Sequence, residues 1–254
     1  MINEILSLFD RYSRQARVLP GLWAAAPAII AGVVLVPKEP LAALLPILLS
    51  CGFTILLANF TRSVGKNLED RLVRKWDGMP TTHLLRHREA GNSTVFQRRR
   101  KALERLYGDR LPTKRQELAN PASADEVYVA ATRYLIRVLD TQRSAFPLVP
   151  KQNADYGQAR NTLALRPYAF VVLLLGAGID YYSWKSHGLS ATWLVVVTLQ
   201  AGLLAYWLFF VRESWVRQAG DTYAVRLFEA LDQLSAGNQP PGHSDEEDAD
   251  QLTQ

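Results

Sequence analysis

A chain of 254 residues with one cysteine, 48% hydrophobic residues and a net charge of +5 excludes a disulfide framework and any Cys-based metal site. The modest total hides a division: residues 62–166 hold 21 Lys/Arg against 11 Asp/Glu, a net +10, while the residues after Val211 hold 3 basic and 9 acidic, a net −6. Long uncharged apolar blocks flank the basic stretch, which argues against an ordinary soluble domain.

Residues 2–17 read as an amphipathic helix. Ile2, Ile5, Leu6 and Phe9 recur at helical spacing, and Arg11, Arg14 and Arg17 follow. Such a segment suits either the membrane interface or a solvated lead into a span. Residues 18–36 carry no charge over 19 positions, close to the roughly 20 needed to cross a bilayer as a helix. Pro27 is tolerated there, and Ala24, Ala28 and Gly32 form a small-residue stripe of the kind that lets helix backbones approach in lipid. Pro37-Lys38-Glu39-Pro40 is a turn. Residues 41–61, uncharged over 21 positions, form a second span. Cys51 lies inside this run as a small packing residue. The hairpin has basic ends and a neutral turn, so both ends are assigned to the cytoplasm.

Residues 62–76 continue the second helix outward, with Val64, Leu68, Leu72 and Trp76 four apart. Gly78 and Pro80 end it, and a short helix runs to Arg88. His83 and His87 are spaced i,i+4, but Leu84-Leu85-Arg86 lies between them and no third ligand is evident, so no metal is assigned. A helix over residues 94–107 places Arg98, Lys101 and Arg105 on one side. Arg99 falls in the apolar arc, where it must pair, snorkel or meet a ligand. Residues 108–121 read as a linker. Ser123-Ala124-Asp125-Glu126 has the form of a capping box and starts a helix to Arg143 with a core face that includes Tyr134. Asn153, Tyr156, Arg160 and Asn161 then form a polar junction before the next span, suited to hydrogen bonding between domain and membrane or to a cap and connector.

Residues 167–179 carry no charge over 13 positions, and the span extends to Trp184 past Asp180. Asp180 reads as an interfacial residue or a pore carboxylate. Residues 189–211, uncharged over 23 positions, form the fourth span, with Gln200 at its middle. An amide at that depth needs a partner. Residues 212–235 hold a cytoplasmic helix, and 236–254 an acidic tail with the composition of a disordered segment.

The expected fold is therefore an all-α membrane protein with four transmembrane helices. Two hairpins (18–61 and 167–211) flank a basic helical cytoplasmic domain (62–166), with residues 1–17 at the interface. No P-loop, Rossmann glycine pattern or nucleophile elbow is present, so neither an enzyme nor a cofactor is expected. The +10 stretch suits anionic lipid, nucleotide or nucleic acid, or else a topology signal with a solvated surface. Arg86, Arg88, Arg98, Arg99, Arg100, Lys101 and Arg105 are its candidate polyanion ligands, and Asp180 and Gln200 are candidate pore-lining residues.

Trp76-Asp77-Gly78-Met79-Pro80-Thr81-Thr82-His83-Leu84-Leu85-Arg86, together with Asn153-x-x-Tyr156-Gly157-x-x-Arg160-Asn161, resembles a bacterial family with hydrophobic hairpins around a helical cytoplasmic domain. The layout is similar to transmembrane effectors of anti-phage systems, in particular the membrane subunit of the Hailong system. That resemblance implies a homo-oligomeric pore in the bacterial inner membrane, controlled by an oligonucleotide from a partner nucleotidyltransferase. The rival reading is a membrane anchor or scaffold for a soluble partner. A small transporter is disfavoured because polar span residues are few.

Overall fold

The structure, a computed structural model, describes residues 11–35 and 52–237. Ile2, Ile5, Leu6 and Phe9, the Pro37–Pro40 turn, Cys51, residues 41–51 of the second expected span and the tail after residue 237 lie outside them. Every regular element among the described residues is helical. The chain forms two compact units, Met1–Pro80 with Pro150–Tyr223, and Thr81–Val149 with Ala224–Gln254.

In the first unit a short helical piece (Arg11–Ser13) and a π-helical turn (Arg14–Val18) lead into α1 (Leu19–Leu35). Helix α2 (Gly52–Lys75) carries the end of the second expected span onward without a break. Asp77 (φ 57°) and Gly78 (φ 125°) then turn the chain, with glycine at the position whose backbone is hardest for a side chain. Helix α7 (Leu148–His187) is a single rod of 40 residues, about 60 Å long at 1.5 Å per residue. Residues 153–161, read in the sequence as a junction or connector, are therefore helix interior. Gly188 closes the α7–α8 hairpin at φ 73°, and Ser190 caps α8 (Ala191–Phe209) through the Trp193 amide. Helices α7 and α8 are long and apolar enough to cross a membrane. Their most apolar stretches are only 33% and 17% buried, unlike the core helices of a soluble protein. Ala24, Leu165, Ala169, Leu173, Trp207 and Val211 pack together between α1, α7 and α8. A second cluster, Leu72, Tyr156, Ala159 and Val216, joins α2 and α7 to the first part of α9 (Glu213–Gly237).

The second unit contains α4 (Ser93–Tyr107), α5 (Lys114–Ala119), α6 (Pro121–Thr141) and the part of α9 from Ala224. The short α3 (Pro80–His83) leads in, and a separate 3₁₀ turn covers His87–Glu89, where the sequence suggested one short helix to Arg88. Asn92 caps α4, accepting from Thr94 and Val95, and Gly108 ends it at φ 82°. The supposed linker holds α5, started by a capping box between Thr113 and Gln116. Helix α6 begins two residues before Ser123. Asn120 is its cap and Pro121 its first residue, a position where a missing N–H costs nothing. Tyr128 rather than Tyr134 is the core tyrosine. Tyr128 is fully buried, whereas Tyr134 is exposed and meets Tyr107 edge to face.

Candidate functional sites

The first site grows from a proline. Pro20 has no N–H, so the carbonyl of Ala16, four residues earlier, lacks its α-helical donor. The helix widens there into the π turn, and the Asn161 side chain supplies the missing donor: its Nδ2 donates to the Ala16 carbonyl. Asn161 is fully buried, and its Oδ1 accepts from Arg160 Nε at 3.1 Å. Gly65 of α2 faces this amide. A Cβ there would collide with Asn161 Oδ1, and one at Gly157 would lie 3.1 Å from the Ala16 Cβ. These two glycines let three helical segments close around one polar centre.

Glu69 of α2 completes it. It accepts from Arg160 Nη1 at 2.9 Å, from Lys66 Nζ at 2.8 Å and from the Tyr156 hydroxyl at 3.3 Å. Burial works against ionisation of Glu69, but Arg160 and Lys66 outweigh it and hold the carboxyl below its usual range. Burial and the adjacent Glu69 push the Tyr156 hydroxyl well up. Gln15 Nε2 donates to Asp155 and, at 3.3 Å, to Gln158. Tyr156, Arg160 and Asn161 thus converge, with the half-buried Asn153 one turn before Gly157. The start of the other motif packs alongside. Trp76 and Met79 adjoin the cluster containing Tyr156, Trp76 Nε1 donates to Glu213 at 3.0 Å, and Arg217 lies over the Trp76 ring. Sequence reasoning missed Glu69, Gly65 and Ala16. The combination of Pro20 with a buried amide was the available signal.

The second site is the set of seven basic candidates in the second unit, and the structure divides it. Arg86, 1% exposed, donates to Asp125 through Nε at 2.9 Å and Nη2 at 2.6 Å, and to Glu89 through Nη1 at 2.8 Å. Arg100, 5% exposed, donates to the carbonyls of Leu85 and Pro112 and lies against the rings of Phe96 and Tyr128. Neither side chain is presented to solvent. Of the seven candidate polyanion ligands these two are turned inward: buried guanidinium groups need dense internal partners, and these have them. Arg99 is half-buried, donating to the Leu84 carbonyl at 3.1 Å with its guanidinium over Phe228. Arg88, Arg98, Lys101 and Arg105 are exposed, with Arg98 3.6 Å from Asp232. Glu117 is buried and accepts from the His87 and Arg88 amides and from Tyr128 at 2.7 Å. Burial resists its ionisation, yet these donors hold its carboxyl below the usual range. Burial and the bond to Glu117 push the Tyr128 hydroxyl up to about 12. His83 bonds Glu89 and His87 bonds the Pro112 carbonyl. Among the described residues no group of His, Cys, Asp and Glu could hold a metal ion.

The third site is a groove of about 890 Å³ between α7 and α8, whose lining includes Asp180 and Gln200. Both are buried, and Asp180 Oδ1 and Gln200 Nε2 have no hydrogen-bond partner among the described residues. Gln200 packs on Gly176, where a Cβ would lie 2.8 Å from its Oε1. The structure thus brings the two candidate pore residues to one groove. No family model matches the chain, and no curated protein or solved structure matches it.

Proposed function

We propose that this protein is a ligand-controlled effector of the bacterial inner membrane, with four spans and both termini in the cytoplasm, that acts as an oligomeric pore in anti-phage defence. Its basic cytoplasmic part takes an anionic ligand, an oligonucleotide or nucleotide from a partner nucleotidyltransferase, as the resemblance to the Hailong membrane subunit implies. The observation that carries the reading is the pair Asp180 and Gln200. Buried polar atoms without partners among the described residues are costly inside an apolar hairpin, and in membrane proteins such groups mark paths for ions or substrates. The exposed row Arg98, Lys101 and Arg105 supplies the charge for the ligand.

One observation favours the rival reading, a membrane scaffold. Arg86 and Arg100 are occupied internally, so the outward basic surface is smaller than the +10 total of residues 62–166 suggests. Induced expression separates the two. An effector depolarises the membrane and arrests growth, and Asp180→Asn or Gln200→Leu changes the conductance of the purified oligomer in planar bilayers. A protein that never conducts, with or without short oligonucleotides, is a scaffold.

A further inference from the structure

The α7–α8 groove has two chemically distinct ends. Between residues 156 and 212 the only acidic residue is Asp180, and in the groove it sits with the rings of Tyr181, Trp184 and Trp193. Away from that end the walls are apolar, formed by residues such as Leu173, Ala177 and Leu204. From Phe170 to Trp184 the wall runs about 21 Å at 1.5 Å per residue. Gln200 is level with Gly176, four helix positions from Asp180, or about 6 Å along the axis. The groove therefore presents, in order, the Asp180 carboxylate among aromatic faces, the Gln200 amide one turn deeper, and a long apolar trough, and Asp180 Oδ1 and Gln200 Nε2 have no hydrogen-bond partner among the described residues.

We propose that this groove binds a bilayer lipid with an ammonium headgroup, an aminophospholipid. The ammonium meets the Asp180 carboxylate, and the aromatic rings favour the same cation. Gln200 Nε2 donates to a glycerol ester carbonyl, and an acyl chain fills the trough. The order of the lipid's own groups matches the order of groups along the groove. The site needs α7 and α8 to lie in a bilayer but only one copy of the chain, so it holds whether or not copies assemble into a pore.

The test is native mass spectrometry on the full chain, stripped of lipid in detergent and titrated with phosphatidylethanolamine or phosphatidylglycerol of identical chains. Retention of the ethanolamine lipid should exceed that of the glycerol lipid at least fivefold. Asp180→Asn should bring the ratio near one. Ala201→Phe, which narrows the trough without changing the carboxylate, should lower retention of both lipids, with helicity by circular dichroism showing that each variant folds. Dodecylammonium separates a free amine from a lipid headgroup: it has no ester for Gln200, so it should compete weakly and be indifferent to Gln200→Leu. Equal retention of the two lipids, or a preference that survives Asp180→Asn, would overturn the site. Competition by dodecylammonium as strong as by the lipid itself would also overturn it, in favour of a free amine. Ala201→Phe that dissociates an oligomer while lipid retention stays unchanged would overturn it in favour of a second copy of the chain.

Discussion

Two buried polar regions of the same unit are built in opposite ways. Around Asn161 donors and acceptors are matched: Ala16 with Asn161, Asn161 with Arg160, and Glu69 with Arg160, Lys66 and Tyr156. In the α7–α8 groove Asp180 and Gln200 each keep a buried atom without a partner among the described residues. A matched network fixes helices and is architectural, whereas an unmatched pair costs stability and persists where it serves something outside the chain. On this contrast the junction motif is architectural and the groove is where the proposed function is to be tested, although both motif and groove looked like polar interruptions in the sequence.

The largest effect is expected at the junction. Glu69→Ala leaves the part-buried Arg160 without its carboxylate, which costs about 3 kcal/mol and should lower the Tm of the detergent-solubilised protein by roughly 6–12 °C. Asn161→Ala removes the only donor for the Ala16 carbonyl that side chains supply among the described residues, and it should cost about 1–3 kcal/mol. The second unit offers a matched control in Arg86→Ala, which strands Asp125 and Glu89 at a cost of about 2–3 kcal/mol, since both partners are part-exposed. A larger loss from Arg98→Ala, an exposed residue, would invert the division between inward and outward arginines.

Much of the helical layout was legible because spacing and absence of charge are local properties. The hairpin turn at Gly188 and the apolar faces of α7 and α8 follow from runs that any window detects. The junction was only half legible. Tyr156, Arg160 and Asn161 stood out as polar residues before a span, but their acceptor Glu69 lies 91 positions from Arg160, and no local pattern joins them. The inward turn of Arg86 and Arg100 was hidden for the same reason. A charge reads as solvated until Asp125, or the carbonyls of Leu85 and Pro112, are seen beside it. At α6 the capping-box pattern at Ser123 was outcompeted by Asn120-Pro121, where the cap and the first residue both fit better.

Smaller effects sharpen the comparison. Glu69, Glu89 and Glu117 all have folded carboxyl pKa values below their ordinary range, with hydrogen bonds and cations outweighing burial. Their contribution is fully present above the unfolded value of about 4.3 and is lost as pH falls through the lower folded values. Thermal melts should therefore hold from pH 7 to about 5 with respect to these groups and fall below about pH 4.3, with a shallower fall in Glu69→Gln. For the ligand, the Arg98→Ala, Lys101→Ala, Arg105→Ala triple variant should reduce the log–log salt slope of single-stranded oligonucleotide binding by about 0.7 for each phosphate no longer neutralised. Binding indifferent to those three residues would remove them from the site.

The contrast between the two polar regions is tested most sharply by setting Glu69→Ala beside Asp180→Asn in the full chain, recording the Tm in detergent and membrane depolarisation on expression. Glu69→Ala should show a large loss of Tm. Asp180→Asn should show an unchanged or slightly raised Tm, because a carboxylate with a buried oxygen that has no partner among the described residues is replaced by a neutral amide, together with altered depolarisation. A Tm that falls as far in Asp180→Asn as in Glu69→Ala, with depolarisation unchanged, would contradict the division between an architectural junction and a functional groove.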